Sequence, residues 1–397
     1  MPDNHDTVWM KRALRLATRA VGRVEPNPLV GAIIVRPASS GSPNDVGVAI
    51  GEGYHRKFGG PHAEVEAIAS AKRAGHDVEG ATLYVTLEPC AHTGKTPPCV
   101  DAIIAAKIGR VVAAIGDPFP EVAGAGFKKL MNAGIEVEVG VCEEQARDLA
   151  APFLKRLRDQ LPWVIGKWAQ TLDGRIAAAS GDSRWVSGEP ARKWVHRVRA
   201  RVDAVMIGIN TALQDDPLLT ARGVRLRRLA RRVVVDPRLR LPIESKLMQS
   251  RQKGGPPVII AAAESDIAEQ SRRMTRLRDA GAEIVPLRPR DNYGRELDLK
   301  PLLRYLMDVH QATNVLVEGG AGLMGQMVDQ NLLDQAYVFM APKILGDANA
   351  VNSITGRVCE QMDQAIEAKL VDVRRFGDDV RLEYRLSNDD QQRDDDA

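Results

Sequence analysis

Hydrophobic periodicity divides the chain into helical and strand-like segments. Over residues 7–21, Met10, Leu14 and Ala17 fall on one helical face, and Pro26-Asn27-Pro28 breaks the pattern. Val30 to Val35 is a short apolar run, as in a strand buried on both faces. Residues 36–47 are rich in Ser, Gly, Pro and Asp and read as a surface loop before a second strand at 47–53. Pro61 opens a helix that runs to about Ala74, with Gly75 as its stop. A strand at 82–87, a helix at 100–106 and a strand at 110–115 follow. The charged stretch 143–160 is helical, ends before Pro162 and reads as a connector between domains 1–150 and 151–388. Further strands are predicted at 163–169, 204–208, 232–235, 257–261, 283–285, 314–318 and 336–340. Such alternation predicts an α/β fold, with helices covering both faces of a sheet. The Asp- and Gln-rich tail, 389–397, reads as disordered.

Composition narrows the possibilities. A chain of 397 residues is long for one domain, and each half is large enough for its own core. Lys plus Arg number 55 and Asp plus Glu 52, so a net charge of +3 gives no reason to expect nucleic acid or membrane as a partner. No apolar stretch approaches the ~20 residues that span a bilayer. The polar opening Met1 to Asp6 lacks the apolar core of a signal peptide. Four cysteines are too few for a disulfide framework, and a reducing cytoplasm fits them best. Cys142 and Cys359 read as bystanders.

The chemistry concentrates in His62-Ala63-Glu64, Glu88-Pro89-Cys90 and Cys99. One imidazole and two thiolates leave a fourth zinc position open, as in catalytic sites. The H-x-E…P-C pattern is that of zinc deaminases of nucleobases, whose Glu carries protons and does not bind metal. Eight residues separate Cys90 from Cys99, where that pattern has two. Residues two apart in a helix point roughly 200° from each other, so His62 and Glu64 can share one metal-bound water only at a helix start. Pro61 puts them there. Zinc lowers the pKa of its water to about 7, and Glu64 would shuttle the proton. His92 is a candidate fourth ligand, less favoured than a loop that carries it past the metal; His55 and His76 read as surface or supporting residues.

In the second half, Gly320 to Gly325 spells G-x-G-x-x-G between an apolar strand and a helix. No acidic strand end follows about 20 residues on, so a Rossmann domain is not expected. A phosphate on a glycine-lined helix start remains open, beside glycines that merely pack strand on helix. Arg222, Arg225, Arg227, Arg228, Arg231 and Arg232 form a basic stretch, read as a solvated loop or as a hold on phosphate or nucleic acid.

These segments together resemble the bifunctional riboflavin-biosynthesis deaminase–reductase family over roughly residues 8–386. The resemblance rests on Pro26 to Gly31, Gly51 to His55, Gly60 to Glu64, Tyr84 to Cys90 and above all His92 to Cys99, whose long Cys–Cys spacing is the family's own. In the second half it rests on Lys167 to Arg175, Ser180 to Ser187, His196 to Arg199, Gly208 to Arg222, Val317 to Leu323 and Ala341 to Gly346. It implies a cytidine-deaminase-like three-layer αβα domain followed by a dihydrofolate-reductase-like α/β domain. It implies one zinc held by His62, Cys90 and Cys99, with Glu64 catalytic, and NADPH as the second cofactor. Ala169, Trp185, Thr211, Asp215, Gly320, Ala321, Gly322, Leu323, Met324, Gly325 and Gln326 would contact NADPH. Ser183, Arg199, Leu219, Arg222 and Glu318 would contact substrate, with Arg199 and Arg222 on its phosphate. In the deaminase pocket Asn27 would hold ribose hydroxyls, or stabilise its loop, and Lys95 the phosphate. Pro237 stands where the family places a small polar residue toward NADPH, and segment 223–231 is shorter and more basic than in some relatives. No general acid is evident for the reduction. The expected partner is a small phosphorylated pyrimidine, with no nucleic acid and no membrane, in a homo-oligomer.

Overall fold

The structure, a computed structural model, describes residues 4–36, 46–93, 97–117, 123–291 and 296–386. Lys95 and the tail 389–397 lie outside them, as does most of the loop 36–47. The chain divides into two compact units between Asp159 and Gln160. The expected division after residue 150 falls inside the helix Glu143–Asp159, whose Ala146 and Ala150 pack with Trp9, Met10 and Val112 of the first unit.

The first unit is built on a five-stranded sheet. Its order is Val48–Tyr54, Gly31–Arg36, Thr82–Val85, Arg110–Ala113 and Glu136–Val139. The first three strands are antiparallel and the last three parallel. Gly31–Arg36 explains why the run is apolar throughout. Successive side chains face opposite ways: Ala32 and Ile34 pack with Ala63 and Ala67 on one side, Ile33 and Val35 with Met10 and Ala13 on the other. Helices thus cover both faces. Helix Ala63–Arg73 lies unusually close to its strand, because a Cβ on Gly51 or Gly53 would meet the Ala67 or Ala63 carbonyl oxygen at 2.5 or 2.2 Å. The glycines of the edge strand therefore set the height of the helix start that carries the predicted site.

The helix Asn4–Ala17 is tied to this sheet by a polar cluster. Arg110 donates from Nη1 and Nη2 to the two oxygens of Asp6, at 3.0 and 2.9 Å, and the Tyr84 hydroxyl donates to Asp6 Oδ1 at 2.6 Å. Asp6 is buried; burial pushes its carboxyl up, and the Arg110 and Tyr84 hydrogen bonds more than offset this, leaving it below its ordinary range. A depressed folded pKa gives stability that is present above the unfolded pKa and lost as pH falls through the folded one. Asp6→Asn is expected to destabilise the first unit by roughly 2 kcal/mol, because the charge-assisted hydrogen bonds of a buried carboxylate are weakened while Arg110 keeps Glu136 and Glu138. Urea unfolding at pH 7 and pH 3 checks it: the difference between Asn and wild type should shrink at the lower pH.

The second unit carries a nine-stranded sheet. Seven strands are parallel, in the order Ala282–Leu287, Val258–Ala263, Arg231–Val235, Ala204–Gly208, Asn314–Val317, Trp163–Gln170 and Gln335–Met340. An antiparallel hairpin, Asp379–Leu386 and Ala368–Phe376, extends the edge. Trp163–Gln170 is flanked by two strands that come late in the chain. Ligands of open α/β sheets bind outside the carboxyl ends of strands at such points.

Candidate metal centre and cofactor cavity

His62 caps the N-terminus of helix Ala63–Arg73 in extended conformation (φ −75°, ψ 167°), and Glu64 is the second helical residue. The non-helical cap brings both side chains to one place, as the sequence requires. Cys90 follows strand Thr82–Val85, and Cys99 is the first residue of helix Cys99–Ala105, its backbone N–H donating to Cys90 Sγ at 3.3 Å. His62 Nδ1 lies 3.1 Å from Cys99 Sγ and 3.5 Å from Cys90 Sγ, and the three donor atoms fall within 4.8 Å of one another. Among the described residues no fourth donor joins them, and His92 is exposed.

Electrostatics fit a dication here. The hydrogen bond from Cys99, against the opposing effect of burial and with help from His62, pulls Cys90 down, while the hydrogen bond to Cys90 and burial push Cys99 up. Glu64 is 3% exposed, and among the described residues its Oε2 has no hydrogen-bond partner. Burial pushes its carboxyl above the usual range. An orphaned buried oxygen beside one nitrogen and two sulfur donors suits a zinc site that leaves room for water and substrate.

Supporting residues add detail absent from the sequence reading. His55 is buried, packs edge-on against His62 with ring centroids 5.2 Å apart, and lies 3.0 Å from the Pro61 carbonyl through Nδ1. A donating Nδ1 leaves Nε2 to accept from Asn27 Nδ2 at 3.2 Å. Asn27 thereby joins the site through His55. Glu88, quoted only as part of a motif, is a buried clamp. Its carboxylate accepts backbone N–H bonds from Asp117, Gly124 and Gly126 at 2.9, 3.0 and 2.8 Å. Gly126 is obligatory there, since a Cβ would meet the Pro89 carbonyl oxygen at 2.1 Å, next to the ligand Cys90.

In the second unit a cavity of 1060 Å³ lies at the carboxyl ends of the parallel strands. It is lined by Ala169, Trp185, Thr211, Asp215 and, along the start of helix Ala321–Asp329, by Gly320 to Met324 and Gln326. The helix N-terminus, capped by Gly320, offers free N–H groups to a phosphate. Bulk at Gly320 would crowd Thr211 Oγ1, 3.0 Å from an ideal Cβ. Gly325 does not line the cavity: its Cβ would strike the Thr355 carbonyl oxygen at 1.7 Å, so this glycine serves packing. Gln326 Oε1 accepts from the Leu297 N–H at 3.2 Å.

Of the expected substrate contacts, Ser183, Arg199, Arg222 and Glu318 line the same cavity, whereas Leu219 is buried outside the lining. Arg199 and Glu318 form a two-pronged pair, Nε to Oε1 at 2.6 Å and Nη2 to Oε2 at 2.7 Å. Of the two arginines expected on a phosphate, Arg199 thus has its fork already engaged, whereas Arg222 is exposed. Lys167, absent from the sequence-based set, lines the cavity. Burial lowers its ammonium pKa, Glu318 opposes that effect and Arg199 adds to it. The basic stretch does not act as one patch. Arg228 pairs with Asp203, Arg232 is wholly buried, and Arg231 turns to a different cleft.

Fold and site define the class: a zinc deaminase of the cytidine-deaminase type fused to a dihydrofolate-reductase-like reductase. Residues 3–115 match the cytidine and deoxycytidylate deaminase zinc-binding region, and residues 162–382 the RibD C-terminal domain. The riboflavin biosynthesis protein RibD of Aquifex aeolicus is 37% identical over 380 residues, covering 96% of this chain and 98% of its own. A structure of Acinetobacter baumannii RibD superposes with TM-score 0.78 at 37% identity, covering 97% of this chain and 99% of that one. A Thermotoga maritima structure described as a diaminohydroxyphosphoribosylaminopyrimidine deaminase/5-amino-6-(5-phosphoribosylamino)uracil reductase gives TM-score 0.79 at 35% identity, covering 98% of this chain and 100% of that one. The chain belongs to the RibD family of riboflavin biosynthesis proteins.

Proposed function

We propose that the chain catalyses two successive steps of riboflavin biosynthesis: hydrolytic deamination of 2,5-diamino-6-(5-phosphoribosylamino)pyrimidin-4-one, then NADPH-dependent reduction of its ribosyl chain to ribityl. The first is assigned to the unit ending at Asp159 and the second to the unit beginning at Gln160. One observation carries the deaminase reading: Glu64 Oε2 is buried and, among the described residues, unpartnered beside the converging donors of His62, Cys90 and Cys99.

Those three residues would hold zinc, which when bound supplies an activated water at neutral pH. Glu64 moves the protons. Its Oε2 takes one proton from the attacking water and gives it to the pyrimidine ring nitrogen, which keeps it, and then carries the second, from the hydroxyl added to the ring carbon, to the amine that leaves as ammonia. Asn27, fixed through Nδ2 by His55, keeps Oδ1 for a ribose hydroxyl. Lys95 is assigned to the phosphate from the family resemblance alone.

In the second unit NADPH supplies hydride. The N–H groups from Gly320 onward would hold its phosphates, and Trp185, 61% exposed with Arg192 over its ring at 4.4 Å, would form a wall. Ser183 and Arg222 bind substrate, and the charge of Glu318, which is paired with Arg199, favours the ammonium form of Lys167. Lys167 Nζ gives the proton that accompanies hydride to the ribose carbon–oxygen unit. Proximity and orientation contribute much of the remaining rate.

Chelating zinc is expected to abolish ammonia release while leaving NADPH oxidation on the deaminated pyrimidine unchanged. Loss of both, or of neither, would contradict the division of labour.

The cytoplasm suits a chain in which Cys90 and Cys99 would serve as thiolates toward zinc. No helix among the described residues is long and apolar enough to cross a membrane. A homo-oligomer is supported by the edge strand Ala368–Phe376, where Leu370, Val371 and Val373 are exposed. Open apolar edges invite pairing. Light scattering should give at least twice the 43.3 kDa chain mass, and Val373→Asp should reduce it to the monomer.

A further inference from the structure

The cofactor cavity occupies one end of the parallel sheet. At the other end, where strands Arg231–Val235, Val258–Ala263 and Ala282–Leu287 begin, lies a separate cleft of 510 Å³. Arg231, Arg251, Arg278 and His310 line it with a single acid, Glu283. Glu283 already meets His310 Nε2 at 3.2 Å.

Helix ends explain part of this basic excess. Arg251, Arg278 and His310 lie in the last turns of Lys246–Gln252, Ser271–Asp279 and Lys300–His310, where the negative pole of a helix favours a cation. Arg251 also donates from Nε to the Gly281 carbonyl at 3.3 Å. Arg231 has no such explanation. It begins a strand, its Nε is buried, and among the described residues no acceptor meets that atom. Its neighbour Arg232 faces the other side of the sheet, fully buried, and among the described residues has Ser250 Oγ and the Pro256 carbonyl as acceptors. Two adjacent guanidinium groups thus enter the same end of the sheet with no carboxylate of the described residues bonded to either. A buried cationic N–H without an acceptor is costly, and an entering anion would relieve it.

We propose that this cleft binds the phosphate group of a small phosphorylated molecule, with Arg231 and Arg278 as its forks and His310 at its wall. Planar guanidinium forks match phosphate oxygens two at a time. The volume exceeds that of a bare ion and falls within the range of small-ligand sites, so the organic part is accommodated as well. The site is distinct from both catalytic centres and independent of the functions proposed for them.

The test uses the full zinc-loaded chain saturated with NADP⁺, titrated by calorimetry with inorganic phosphate and with glycerol 2-phosphate. Wild type is expected to bind the monoester more tightly than the free ion. Arg231→Gln should weaken that binding about tenfold or more and Arg278→Gln about threefold, with NADP⁺ affinity unchanged. The His310 ring resonances should shift on titration in wild type. Arg278 is exposed, so its variant decides the matter should Arg231→Gln fail to fold. Unaltered affinity in Arg278→Gln, or in a folded Arg231→Gln, overturns the proposal, as does free phosphate binding as tightly as the monoester.

Discussion

Glu64→Gln is expected to keep its zinc and to release ammonia about 10²–10⁴-fold more slowly, the usual contribution of a positioned acid–base group. Glutamine matches the carboxylate in volume, so the tightly packed helix start, where a Cβ on Gly53 would already meet the Ala63 carbonyl, has no reason to move. Metal content should hold because His62, Cys90 and Cys99 provide the donors. The amide cannot take a proton from water and return it to nitrogen. Reduction of the deaminated pyrimidine should be unchanged, since Lys167, Glu318 and the Gly320 helix start belong to the other unit. Metal analysis together with ammonia release measured at saturating substrate checks both halves. Near-wild-type turnover in the zinc-loaded variant would remove Glu64 from the reaction.

Lys167→Met should have an effect of similar size on the second step: a fall in NADPH oxidation of about 10²–10⁴-fold with NADPH affinity retained. Methionine replaces the stem of lysine and leaves Glu318 paired with Arg199. The wild-type pH profile adds a readout that a merely structural role would not move. Burial lowers the folded pKa of Lys167, so the proton-donating form is complete below that pKa and is lost as pH rises through it. Reduction by wild type should therefore begin to decline below the ordinary lysine range, and the Met variant should lack that limb. A folded variant with an unaltered rate would assign the proton to another group.

The first of these sites was legible in the sequence because its chemistry is compressed into short motifs. His62 and Glu64 are two residues apart, and Pro61 places them at a helix start. The valine- and isoleucine-rich strands were legible for a related reason: strands covered on both faces have no polar side, so Val30 to Val35 and Arg232 to Val235 stand out as runs. Where function depends on distant partners the pattern gave little. The backbone groups that Glu88 clamps lie 29 to 39 residues downstream. The Lys167–Arg199–Glu318 cluster assembles from three separate elements, so neither the half-buried lysine nor the engaged Arg199 fork could be read from spacing. The hairpin Ala368–Phe376 and Asp379–Leu386 was missed because much of its apolar content faces outward on an open edge. The basic stretch 222–232 was seen as one feature, whereas strand alternation sends Arg231 and Arg232 to opposite faces.

The most direct test follows ammonia and the mass of the pyrimidine product from the zinc-loaded chain, with and without NADPH. Without NADPH, one equivalent of ammonia and an unreduced aminouracil phosphate are expected; with it, the same ammonia and a product two hydrogens heavier. A zinc-loaded chain that releases no ammonia, or that gains the two hydrogens when NADPH is withheld, would contradict a deaminase and an NADPH-dependent reductase in one polypeptide.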